Sequence, residues 1–158
     1  MSRLLVVILI LGLQGCARPA SVAIGPEAGS GMAWALSETE EEGLKLAYGQ
    51  GQSGDLVVMF ACAPHTGELW ISAPAPRAGD LVLASGGASL RLAARAEPWP
   101  AEDAVLLEAP APARSPALAR FARTGELRLS VARRAAALPA DPAQTLIIQR
   151  FFTACSAA

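Results

Sequence analysis

At 158 residues the chain has room for one domain but not for two comfortable ones, and 13 basic against 14 acidic residues leave a formal net charge of −1. That balance sets up no broad field to gather nucleic acid or an anionic surface, so neither is expected as a partner on net charge. Hydrophobic residues make up 53% of the chain; Ala inflates the figure, but larger apolar residues recur in short runs that suit a packed core, which argues against disorder of the whole chain.

Residues 1 to 16 read MSRLLVVILILGLQGC. Arg3 supplies a positive start, and Leu4 to Leu13 form an apolar stretch broken only by Gly12. Roughly ten such residues make a helix of about 15 Å, half the thickness of a bilayer core, so residues 1–15 read as a signal peptide rather than a membrane span.

The end of that stretch, Leu13-Gln14-Gly15-Cys16, resembles the lipobox of bacterial lipoproteins: an aliphatic residue, a tolerant position, a small residue and the cysteine. The resemblance implies a diacylglyceryl group on the Cys16 sulfur, cleavage before it, and palmitate-like acylation of the new amino group. Two or three acyl chains exceed what stable anchoring requires. Gln14 departs from the Ala or Ser more usual at its position, and an ordinary leader cut after Ala17 or Ala20 would discard Cys16. Ala17 in place of Asp implies the outer membrane, facing the periplasm. Residues 16–31 then read as the lipidated cysteine and a tether, rich in small residues, Pro and Gly, with a reach of roughly 20 Å. A single periplasmic domain is expected over residues 32–158.

Within it, several segments alternate as half-buried strands do. Met32, Trp34 and Leu36 share one face. Leu44, Leu46 and Tyr48 share another, with Lys45 turned away. The acidic connection from Glu38 to Gly43 reads as solvated, and no metal is expected there. From Asp55 to Cys62 both sides are apolar, which predicts a central strand covered twice. It turns through Ala63-Pro64-His65-Thr66-Gly67 into Glu68-Leu69-Trp70-Ile71-Ser72. Leu81-Val82-Leu83 pairs with Leu90-Arg91-Leu92 across a Ser-Gly-Gly turn. Ser115-Pro116 offers an N-cap and a first-turn Pro, and Gly125 a stop. Strand alternation resumes at Glu126 to Val131. Asp141-Pro142-Ala143-Gln144 resembles a capping box ahead of a final helix whose apolar face holds Ile147, Ile148, Phe151, Phe152 and Cys155. The expected fold is α+β and mainly β: an antiparallel sheet or flattened sandwich with helices at about 115–124 and 142–155.

Export changes what the other two cysteines mean, because the periplasm oxidises thiols. Cys62 shares a strand face with Val58 and Phe60, and Cys155 a helical face with Ile148 and Phe152. A bridge between them would close a loop of about ninety residues, worth about 4.6 kcal/mol in the chain-entropy model. A redox-active role needs a close pair or a low-pKa thiol, and this spacing offers neither.

No catalytic constellation stands out. His65 is the sole histidine and falls in a turn. There is no nucleophile elbow, phosphate-cradling glycine pattern or repeated His/Cys spacing. Asp55, Asp80, Glu97, Glu102 and Asp103 lie at segment ends without forming an evident pair. An enzyme is therefore not expected, nor a cofactor. The candidate contact surface is Trp99, held between Pro98 and Pro100 in an extended loop suited to stacking, together with Trp70 and His65. Arg91, Arg95, Arg120, Arg123 and Arg128 would make a basic strip if strand and helix faces aligned.

LVVMFACAPHTGELWIS, ALARFARTGELRLSV and the closing IIQRFFTAC resemble a group of uncharacterised exported proteins of alphaproteobacteria over most of residues 44 to 155. That resemblance supports the disulfide and the domain boundary and implies no activity. The functional expectation is an envelope lipoprotein with a binding or structural role toward an envelope protein, or alternatively an inhibitor or glycan-binding module working through the Trp99 loop.

Overall fold

The computed structural model describes residues 31–40, 43–50, 55–63, 66–99 and 104–156. In chain order these form β1 (Ala33–Thr39), β2 (Gly43–Gln50), β3 (Asp55–Cys62), β4 (Glu68–Ala75), β5 (Leu81–Ser85), β6 (Ala88–Leu92), β7 (Arg95–Pro98), β8 (Val105–Pro112), α1 (Pro116–Thr124), β9 (Leu127–Val131), β10 (Arg134–Leu138) and α2 (Pro142–Cys155). The strands make two antiparallel sheets, one of six in the order β1-β2-β3-β4-β8-β7 and one of four in the order β10-β9-β5-β6. The architecture is α+β and mainly β, with both helices within a residue of where the sequence placed them.

Period-two patterning sets which side of the six-stranded sheet is buried. Register places Trp34 opposite Tyr48 and Leu36 opposite Leu46. Leu46 in turn faces Phe60, and Leu44 faces Cys62. Phe60 lies beside Ile71, and Leu69, Ile71 and Ala73 meet Ala111, Ala109 and Leu107. All of these side chains are buried on one face. The four-stranded sheet adds Leu81, Leu83, Leu127, Leu129 and Leu138 to the same core.

The helices fill the space over that face. α1 packs on β5 and β6, and α2 on β1, β2 and α1. Phe121 of α1 stacks at 4.9 Å from Trp34 and 6.0 Å from Phe60. Phe151 and Phe152 of α2 lie 6.5 and 6.4 Å from Phe60, both edge-on. All four Phe, the single Tyr and one of the three Trp thus join in one cluster. Such pairs add about 0.5–1.5 kcal/mol each beyond the area they bury.

α2 is fastened at both ends. Asp141 accepts the Gln144 N–H at 2.7 Å, as the cap pattern anticipates. The Gln144 side chain departs from a reciprocal box: its amide nitrogen bonds Asp141 Oδ2 at 3.0 Å, and its Oε1 accepts the Trp34 N–H at 3.2 Å, tying the helix start to edge strand β1. At the other end Cys155 is joined to Cys62 by a disulfide with Cα atoms 5.8 Å apart, the pairing expected from the two faces. The Cys155 carbonyl also accepts the Gly67 N–H at 2.9 Å.

Four expectations need correction. Met32 does not share the Trp34 face; it lies outside β1 and is 46% exposed, because the ladder to β2 begins at Ala33. Ser115 precedes α1 but its hydroxyl makes no cap bond and is buried without a partner, so Pro116, with its fixed φ, is what opens the helix. Gly125 does end it, at φ 70°, with its N–H on the Phe121 carbonyl at 2.8 Å. The acidic connection is shorter than its sequence implies, since Glu38 and Thr39 belong to β1; Glu41 and Glu42 fall outside the described residues. Finally, β3 is central but not enclosed twice: Met59 and Ala61 are only half-buried, because both helices gather on the opposite side, while Val57, also half-buried, packs against the core and shares a groove with Leu129 and Val131 of the second sheet.

Candidate functional site

The outer side of the six-stranded sheet is the candidate contact face. Its rows follow from the register. One row runs Ser37, Lys45, Ala61, Trp70 and Pro110. The next runs Ala35, Ala47, Met59, Ser72, Glu108 and Arg95. Trp70 stands on β4, an interior strand, yet is 50% exposed. The cause is its neighbours: Ala61 and Pro110 are too short to cover an indole, and no described element packs above it. The floor beside it is set by the Ser72 hydroxyl donating to Glu108 Oε1 at 3.1 Å. A strand in the middle of a sheet holds its side chains firmly, so this ring is presented at little conformational cost.

Of the other members of the expected contact surface, Trp99 stands apart from it and His65 lies outside the described residues. Trp99 follows directly on edge strand β7 and is half-buried; Pro100 beyond it is outside the described residues. Trp70 pairs with Pro110 and Pro98 with Val105, positions five residues or roughly 17 Å apart along β8, so Trp70 and Trp99 stand toward opposite ends of the sheet. His65 falls in the β3–β4 turn outside the described residues, as does Cys16 at the proposed anchor.

Nor do the five arginines form one strip. Arg91 pairs with Asp80 at 3.0 Å. Arg95 lies 4.0 Å from Glu97 on its own strand. Arg123 bonds the Ala119 carbonyl of its own helix at 3.0 Å. Arg120 lies across the Gly86 turn. Arg128 points from the outer face of the smaller sheet. Two arginines that drew no attention in the sequence, Arg77 and Arg133, instead line a groove of about 380 Å³ with Arg91. They lie far apart in the chain, and no local pattern links them.

Among the described residues no group of three His, Cys, Asp or Glu is placed to hold a metal. No helix among them is long and apolar enough to cross a membrane. Comparison of the chain with protein-family models, with curated proteins and with solved structures found no match.

Proposed function

We propose that this chain is a lipid-anchored envelope protein, with Cys16 as the anchor, whose domain works by binding rather than catalysis and contacts a partner through the sheet face around Trp70. The observation that carries the contact face is the half-exposed indole on an interior strand. All the other aromatic side chains except Trp99 are packed together in the core. Ala61, Met59 and Pro110 around one indole, with Lys45, Glu108 and Arg95 in the same two rows, suit a partly apolar surface such as an aromatic-rich patch on an envelope protein. The LQGC motif and the disulfide between Cys62 and Cys155 support an exported, oxidised setting.

Crosslinking in intact cells followed by capture of the full chain tests it. A specific envelope partner should be recovered with the native chain and lost with Trp70→Ala, while Trp99→Ala keeps it. Recovery unaffected by Trp70→Ala would discard the face. If binding to peptidoglycan fragments or muramidases were found and abolished only by Trp99→Ala, the glycan or inhibitor reading would replace it.

A further inference from the structure

The groove on the smaller sheet is lined by arginines from three separate elements. Arg91 belongs to β6, Arg77 to the loop ahead of β5, and Arg133 to the turn between β9 and β10. Register makes the floor legible: Arg91, Val82 and Ser130 form one row across β6, β5 and β9. Their strand neighbours Leu81 and Leu83 are buried in the core, so this row faces outward. Asp80 is the single carboxylate among the lining residues, and it is already held by Arg91 at 3.0 Å. Arg77 and Arg133 have no carboxylate partner among the described residues.

The turn that carries Arg133 adds an independent observation. Ala132 and Arg133 adopt φ values of 46° and 69°, both in the left-handed region. A two-residue hairpin turn of this kind favours Asn-Gly, because a Cβ is disfavoured at both positions. The fold holds a bulky cation where glycine would relax the backbone, and strain of that kind gathers at sites that use it.

From these we infer that the groove is a binding site for a phosphoryl group bearing two or more negative charges. Arg77 and Arg133, with Arg91 beside them already held by Asp80, leave two uncompensated cations at one cavity, which matches an oxyanion with two charges and several acceptor oxygens better than a single carboxylate. Pyrophosphate or a sugar phosphate matches that description, and so does a lipid headgroup that ends in a phosphomonoester. The near-neutral charge of the whole chain does not oppose this, since a local surplus of cations acts within about 8–10 Å at ordinary salt.

Calorimetry of the full chain with inorganic pyrophosphate at low ionic strength tests the site. One saturable site is expected, weakened at least about tenfold by Arg77→Ala and by Arg133→Gly. Arg123→Ala, on the α1 surface, should leave it unchanged. Arg133→Gly is the decisive variant: glycine suits that φ, so Tm should hold or rise while binding falls, which a purely structural arginine would not produce. A parallel measurement compares vesicles of phosphatidylcholine alone with anionic vesicles that also contain phosphatidic acid, whose headgroup is a phosphomonoester. Pyrophosphate binding with no preference between vesicles assigns a soluble phosphate. A preference for the anionic vesicles that Arg77→Ala and Arg133→Gly abolish assigns a headgroup. Absence of both kinds of binding, or binding that those two variants leave intact, overturns the site.

Discussion

Trp70 and Phe60 show how position, more than residue type, decides what an aromatic side chain contributes. Phe60 is fully buried and touches Trp34, Phe121, Phe151 and Phe152. Phe60→Ala should therefore cost about 3–5 kcal/mol in urea unfolding, since the cavity cannot collapse between two sheets and two helices. Trp70→Ala removes a ring that is half in water already, and its stability cost should stay below about 1 kcal/mol. Loss of binding from Trp70→Ala can then be separated from loss of fold. The two helix starts make a similar contrast. Asp141→Ala should cost about 1 kcal/mol, because the carboxylate bonds the Gln144 N–H. Ser115→Ala should be neutral or slightly stabilising, because it removes a buried hydroxyl that satisfies nothing. Equal losses for these two substitutions would contradict the cap geometry.

At the scale of elements, α2 is held by three different forces. Its Phe pair packs on Phe60, its first turn bonds edge strand β1, and its last residue is cross-linked to β3. The bridge spans 93 residues of sequence, so the chain-entropy model assigns it about 4.6 kcal/mol, close to the ceiling for a single disulfide. Reduction with dithiothreitol should lower Tm substantially, and the Cys62→Ser, Cys155→Ser double variant should match the reduced native chain. An unchanged Tm on reduction would show that packing of α2 alone holds the helix. Strand β3 carries a different lesson. Its double-sided apolar pattern places it at the centre of a sheet, as found, but the same pattern cannot tell a covered outer face from one left open for a partner. That ambiguity is why the sequence names Trp70 as a candidate contact residue without showing the open sheet face around it.

For the whole molecule, compartment and cross-link belong together. On the proposed anchor, Cys16→Ser should move the chain from the membrane fraction to the soluble periplasmic fraction while leaving the domain folded and its disulfide formed. Expression without residues 1–15 should instead yield a chain with free thiols at Cys62 and Cys155, read by alkylation and intact mass. A native chain with an unmodified N-terminus would remove the anchor from the proposal. The two candidate surfaces lie on different sheets, so Trp70→Ala and Arg77→Ala are expected to act independently, each leaving the other activity intact.

Local rules carried the sequence a long way. Period-two and period-3.6 spacing located both helices, the strands as far as Leu92 and β9, and the faces of Cys62 and Cys155 pointed to their pairing, because these features depend on neighbours a few residues apart. Strands β7, β8 and β10 are not marked by that spacing: Arg95–Pro98 and Arg134–Leu138 are short and carry almost no hydrophobic alternation, and the buried face of β8 is one Leu followed by two Ala, so each depends on the hydrogen bonds of a partner strand. Tertiary structure alone decided the division into two sheets, the open face under Trp70, the distance between the two surface indoles and the meeting of Arg77, Arg91 and Arg133. Each depends on which residues remote in sequence come to share a surface, and that is settled by packing rather than by any pattern along the chain.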